Sequence, residues 1–287
     1  MANAVHRYTT YTIPNTNRVV GVRYLLCTQE DIVVRQIAGS VRDSGYFGIN
    51  GTFFNPETGY LTGIAINNGQ VVKNYGAKNC EAPTNGNVTL KPRGAYFYFQ
   101  NTVNNINGGT AVIGEYEGTS YDGITLHTNN VKFAIGGASL FTSETNLTKS
   151  EYIDRVGRLE GITHVDEPRA RSAIVYIGGS ISGLNTVLLT VYGLSNSPHT
   201  GGYNYATEDN AVTLWELREL INTVFSPMTP LGTGPIIHAI ALDGGPSTQL
   251  AYKDGTVTRS FQAKIKKAGP DYGTYNRTVY TMLSVPM

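Results

Sequence analysis

Residues 235–250 read PIIHAIALDGGPSTQL. An apolar run delivers Asp243 at its end. Gly244 and Gly245 follow at once and permit a sharp turn whose N–H groups can converge on an anion. Ser247 and Thr248 set hydroxyls beside that turn, and taken alone the segment is equally a tight turn capped by its own aspartate. Its surroundings decide the fold. ARSAIVYIG (170–178) and TVLLTVYG (186–193) have the β-branched and apolar composition of strands. Between them and the Asp-Gly-Gly turn lies one amphipathic helix. Thr213 and Glu216 have capping-box spacing, Leu214, Leu217, Ile221, Val224 and Phe225 fall on one face, and Pro227 closes the segment.

Working outward, the chain supplies short strands rather than helices. VVGVRYLL (19–26), DIVVRQI (31–37), YFGIN (46–50), TGIAIN (62–67), GAYFYF (94–99), TAVIGEY (110–116), GITLHT (123–128) and VKFAIGG (131–137) all read this way. A hairpin around Lys253–Gly255 and a last strand, TVYTMLSV (278–285), follow the turn, while residues 144–168 read as a loop with a short helix near Lys149–Val156. The order predicts an α+β fold, a β-rich mixed sheet core with a few helices. It forms a single domain over residues 41–287, with lead-in strands over residues 1–40 packed on it.

Composition narrows the function. The 287 residues carry 22 Lys plus Arg and 21 Asp plus Glu, a net charge of +1, which excludes a polyelectrolyte and gives no basic footprint for nucleic acid. The 33 Gly and 19 Tyr mark a turn-rich chain with many polar rings. No stretch approaches the roughly 18 apolar residues of a membrane helix, and the first residues lack signal-peptide order, so no membrane insertion is expected. Location stays open between cytoplasm and virion. Cys27 and Cys80 are too few for a disulfide framework. The five histidines lack metal-ligand spacing, and His238 reads as structural within its apolar strand. Asp166, Glu167, Glu208 and Asp209 form no EF-hand loop, so neither metal nor other cofactor is expected. Neither a GxSxG elbow nor a Walker loop occurs.

Three further strand ends carry polar or glycine features. Asn50 and Gly51 end a strand in GYFGINGTFFNPETG (45–59), Arg169 and Arg171 precede one in EPRARSAIVYIG, and Gly136, Gly137 and Ser139 end one in FAIGGASLF (133–141). Arginine offers a rigid fork of donors for phosphate or carboxylate. In the order GINGTFF, IGGASLF, ARSAIVYI, VTLWELRELI and ALDGGPSTQL, the chain resembles the phosphodiester glycosidase family over residues 40–285. The resemblance implies hydrolysis at the anomeric carbon of a sugar 1-phosphodiester, releasing the sugar and leaving a phosphomonoester. It implies Asp243, Arg171 and Asn50 as catalytic residues, and Gly51, Gly137, Ser139, Gly244, Gly245 and Ser247 as substrate-binding ones.

In that scheme Arg171 and the amides of Gly244 and Gly245 take the phosphate, Ser247 adds a hydrogen bond and Asn50 orients the substrate. Asp243 supports the oxocarbenium charge, activates water or holds Arg171. Pro246 stands where the family has a third glycine and Thr248 where it has a second serine, while Ser172 replaces threonine and Val175 replaces glycine, reducing space near the arginine. The expected partner is a sugar phosphate or glycan, in a glycoconjugate or a teichoic-acid-like wall polymer. The alternative is a non-catalytic glycan-binding or structural module, a homo-oligomer or virion component of the phage-tail kind.

Overall fold

The computed structural model describes residues 4–57, 59, 61–72, 93–100, 109–116, 131–181, 184–196, 204–228, 236, 238–263, 265–266, 272–273 and 277–287. Two sheets carry the fold. The first runs from β1 (Val5–Thr12) through β2 (Val19–Cys27), β11 (Leu184–Asn196), β10 (Arg171–Ile181), β13 (His238–Ala241), β9 (Val131–Ser139) and β5 (Ala65–Asn67) to β6 (Gln70–Val71). The hairpin β7 (Arg93–Gln100) and β8 (Gly109–Tyr116) hangs from β9, and β12 (Asn204–Thr207) extends β11. The second sheet is β15 (Val257–Gln262), β14 (Gln249–Asp254), β4 (Phe47–Asn50), β18 (Val279–Val285) and β3 (Val33–Gly39); β16 (Ile265–Lys266) pairs separately with β17 (Tyr272–Gly273).

Alternation along the central strands builds two cores on opposite faces of the first sheet. Ala173, Val175 and Ile177 of β10 and Val187, Leu189 and Val191 of β11 point to one face, where they meet Leu217, Leu220, Ile221 and Phe225 of α2 (Leu214–Phe225). Ile174 and Leu188 point the other way and pack with Ile49, Leu250 and Leu283 of the second sheet. The result is a helix layer, a sheet and a second sheet. Each fully buried aliphatic side chain contributes about 1.5–3 kcal/mol to holding those layers together. Cys27 lies in the inter-sheet core, where burial pushes its thiol up; Cys80 falls outside the described residues.

The predicted capping box is present: Glu216 N–H donates to Thr213 Oγ1 at 3.1 Å and Thr213 N–H to Glu216 Oε2 at 2.9 Å. Helix α1 (Lys149–Ile153) has a second box at Thr148 and Glu151, then passes into a π-helical turn over Asp154–Leu159. One expectation is corrected. The sheets are not mixed, for the pairings among the described strands are antiparallel. The helix returns the chain to the end where β11 began. β13 then enters on the far side of β10 rather than beside β11, so its neighbour runs opposite to it. The strand expected at 123–128 lies outside the described residues, and β1, not anticipated as a strand of its own, forms the sheet edge.

Close packing of β9 on β13 depends on Gly137. A Cβ there would lie 2.2 Å from the Ala241 carbonyl oxygen and 2.3 Å from Ile240 Cγ2, whereas Gly39 has nothing within 4 Å of its Cβ position. Gly137→Ala is expected to cost about 1–3 kcal/mol in urea unfolding, and Gly39→Ala to stay close to the parent.

Candidate active site

The Asp243 turn is held by its backbone. Asp243 N–H donates to the Gly51 carbonyl at 3.1 Å, and Asn50 Nδ2 donates to the Asp243 carbonyl at 2.8 Å. Leu242 N–H reaches the Ser172 carbonyl at 2.8 Å, and Gly245 N–H reaches the Ala170 carbonyl at 2.7 Å. Gly245 takes φ +59°, so glycine suits the reversal. Asn50 Oδ1 accepts from Ser172 Oγ at 2.6 Å and from Gln249 N–H at 3.1 Å. One fully buried carboxamide thereby ties β4, β10, the aspartate and the start of β14.

Around this frame stand the charges. Asp243 is partly exposed, and its Oδ1 accepts Gly244 N–H at 3.0 Å. Burial of the carboxyl pushes its pKa up to about 6, against the opposing pull of the Ser247 hydroxyl, the Gly244 amide, Arg277 and Arg171. Arg171 is buried, and desolvation lowers its pKa to about 10, so it remains a cation at neutral pH. Its Nη2 donates to the carbonyls of His164 at 2.5 Å and Glu167 at 3.1 Å, and its Nε to Val212 O at 3.4 Å. Its Nη1 lies toward Gly244, 3.5 Å from where a Cβ on that glycine would sit. Arg171 forms no ion pair among the described residues, while the nearby Arg169 is held by Glu167 at 2.8 Å.

Arg277 and Glu208 complete the group. Gln249 fixes Arg277 through its carbonyl, with Nε2 donating at 2.8 Å. The Arg277 guanidinium acts electrostatically on both Asp243 and Glu208. Glu208 is buried with Oε2 3.5 Å from the Cβ position of Gly245, and burial followed by Asp209 raises its carboxyl above the usual range. The Glu208 carbonyl accepts Ala170 N–H at 2.6 Å, which brings that segment against the turn.

The structure therefore gathers Asn50, Gly51, Arg171, Asp243, Gly244, Gly245 and Ser247, but gives several of them work other than the expected work. The Gly244 and Gly245 amides are engaged by Asp243 and Ala170, so they are not free to meet a phosphate as expected. The fully buried Asn50 spends an Nδ2 hydrogen on the Asp243 carbonyl and its oxygen on Ser172 and Gln249, and so braces the turn. Gly51 is buried with its N–H on Thr281 O at 2.8 Å. Gly137 and Ser139 sit on the neighbouring β9. Gly137 packs on β13, and Ser139 N–H donates to Glu160 Oε2 at 3.0 Å while its carbonyl accepts Tyr152 Oη at 3.1 Å. Val175 packs in the helix-side core opposite Val187 and Ala239, not against Arg171. Pro246 is the second residue of a 3₁₀ turn over Gly245–Ser247, where a missing N–H costs nothing. His238 stacks beside Tyr176 at 6.1 Å, and burial lowers its pKa below the usual histidine value. Asp166 and Glu167 are paired with Lys149 at 2.7 Å and His164 at 2.8 Å.

The model of the family described as phosphodiester glycosidase matches residues 44–285. The chain belongs to the phosphodiester glycosidase family. No curated protein matches the chain. The family name implies a glycosidase-type hydrolase, and the matched region of this phosphodiester glycosidase contains every charged residue of the group around Asp243. Arg277, Gln249 and Glu208 escaped the sequence reading of the site, except that Glu208 was weighed as a metal ligand. Arg277 precedes an ordinary strand and carries no local motif.

The folded pKa of Asp243 lies above its unfolded value of 3.8. The folded protein therefore holds the proton between about pH 4 and 6, and the stability this contributes is lost as pH rises through that window. Asp243→Asn is expected to gain on the order of 1–2 kcal/mol in urea unfolding at neutral pH and nothing near pH 3.5. Asn50→Ala leaves three buried partners unsatisfied and should lose about 2–5 kcal/mol at both.

Proposed function

We propose that this phosphodiester glycosidase hydrolyses the glycosyl–phosphate bond of a sugar 1-phosphodiester in a glycoconjugate or a teichoic-acid-like polymer. One observation carries the reading: the Asp243 carboxylate lies under the influence of two guanidiniums, Arg171 and Arg277, neither in an ion pair among the described residues. A phosphodiester brings one negative charge to them and gains more as it leaves. Donors already in place then stabilise the departing group with little reorganisation. Such a leaving group needs less protonation than a sugar alkoxide, so a strong general acid is not required.

Asp243 takes the role of base. Arg171 is held by backbone carbonyls, so the aspartate is not needed to hold it. A carboxylate with a proton affinity near pH 6 is well matched to water activation. Water attacks the anomeric carbon, its proton passes to Asp243, the C–O bond to phosphate breaks, and the phosphomonoester departs with the electron pair. Glu208, across Gly245, supplies a second carboxylate for sugar hydroxyls or for the oxocarbenium charge. Ser247 and Asn50 fix Asp243 from either side.

The test is turnover of α-GlcNAc 1-phosphodiesters, including teichoic-acid fragments, in ¹⁸O-labelled water. Label is expected on the released sugar; label on phosphate would mean P–O cleavage and contradict the reading. Asp243→Asn and Arg171→Lys should each reduce kcat/KM by about 10²–10⁴, and kcat/KM of the parent should rise with pH to a plateau above about 6 as Asp243 loses its proton.

A further inference from the structure

The tyrosine excess has a local expression at the edge of the first sheet, around β1 and β2, which supply no residue to the proposed chemistry. Tyr8 of β1 is 48% exposed. Its cross-strand partner is Arg23 of β2, whose guanidinium carbon lies 4.6 Å from the Tyr8 ring centroid. Arg23 is itself fixed: its Nε donates to Tyr192 Oη at 2.9 Å and its Nη1 to Tyr252 Oη at 3.5 Å. Behind them, Tyr192 stacks on Phe261 at 4.2 Å and Tyr252 on His6 at 3.6 Å. Tyr192 also lies flat over Gly21, where a Cβ would come 2.3 Å from its ring. Five ring side chains (Tyr8, Tyr192, Phe261, Tyr252 and His6) and an arginine thus form a packed group that ends at the surface in the Tyr8 ring.

The register places this ring relative to the candidate active site. Tyr8, Arg23, Thr190 and Ser172 are successive partners in one row across β1, β2, β11 and β10, with their side chains on the same face. Ser172 is the residue that binds Asn50. Three strand spacings separate Tyr8 from it, about 14 Å. The packing is continuous as well, since Tyr192 and Phe261 cluster with Ala170, whose carbonyl accepts the Gly245 amide of the Asp243 turn.

We propose that the outer face of Tyr8 is a stacking subsite for a pyranose ring of a polymeric glycan, one or more units away from the bond held at Asp243. A ring braced from behind by a cation that two tyrosine hydroxyls hold in place loses little freedom on binding, and that preorganisation favours a flat apolar sugar face. Thr10, two residues along β1 on the same face, is exposed and offers a hydroxyl to the sugar rim. The choice of a sugar rests on the glycosyl substrate proposed above, while the location rests on the stack alone.

Kinetics on two substrates and one binding measurement test it. With a poly(α-GlcNAc 1-phosphate), whose units are joined by glycosyl–phosphodiester bonds, Tyr8→Ala is expected to raise KM about fivefold, with Tyr8→Trp restoring it. With the methyl phosphodiester of α-GlcNAc 1-phosphate, both variants should match the parent in kcat and KM. An unchanged KM on the polymer, or an equal loss on the small diester, overturns the subsite. Tyr8→Trp also reports binding by fluorescence, read as the difference from the parent. Saturable change with the same polymer supports the subsite even if no turnover occurs, in which case the proposed reaction fails and the subsite stands. No saturable change overturns it. So does a shift of Tyr8→Ala to a smaller species in light scattering, which would make the ring a contact between copies of the chain.

Discussion

The side-chain amide of Asn50 is the constraint on which the candidate site depends. It donates to the backbone of Asp243 and accepts from Ser172 and Gln249, so one carboxamide links the end of β4 in the second sheet to β10 in the first and to both sides of the Asp-Gly-Gly turn. Inside a protein such a network is strong when every member is satisfied and costly when one is removed. Here it fixes where the two sheets meet and therefore where Asp243 stands. Gln249 extends the same network to the backbone carbonyl of Arg277, just ahead of β18, and the Arg277 guanidinium acts on the Asp243 charge.

The charges arranged on that frame explain how a nearly neutral chain can serve an anionic substrate. Arg171 keeps its charge in a buried setting because three backbone carbonyls, rather than a carboxylate, solvate it. A carboxylate partner would have neutralised it and left less field for a phosphate. Asp243 bears the opposite burden, since burial raises its proton affinity and two arginines only partly offset that. A site that holds both groups in these states is less stable than a neutral one would be, which is the usual relation between a functional cluster and the fold that carries it.

Much of this was legible in the sequence, and what was not has a physical reason. Strand-end residue types made Asn50, Arg171 and Asp243 visible only as weak local features that the family resemblance drew together, and the capping box of α2 could be read because its signal is local. Strand direction could not be read, because it depends on which side of β10 the later β13 inserts. The family resemblance implied that the turn amides of Gly244 and Gly245 take the phosphate, yet Asp243 and the distant Ala170 take them. Arg277, Gln249 and Glu208 reach the site through pairings far apart in sequence, so no spacing announces them. The tyrosines were visible only as a number until the register of β1, β2 and β11 set Tyr8, Tyr192 and Tyr252 around Arg23.

The proposed reaction requires one anion to be shared by Arg171 and Arg277 above Asp243. A crystal structure of the protein soaked with α-GlcNAc 1-phosphate measures this directly. It should place phosphate oxygens within hydrogen-bonding distance, about 2.7–3.2 Å, of Arg171 Nη1 and of the Arg277 guanidinium, with the anomeric carbon facing the Asp243 carboxylate. A phosphate bound elsewhere on the protein, leaving that carboxylate facing only solvent, would contradict it.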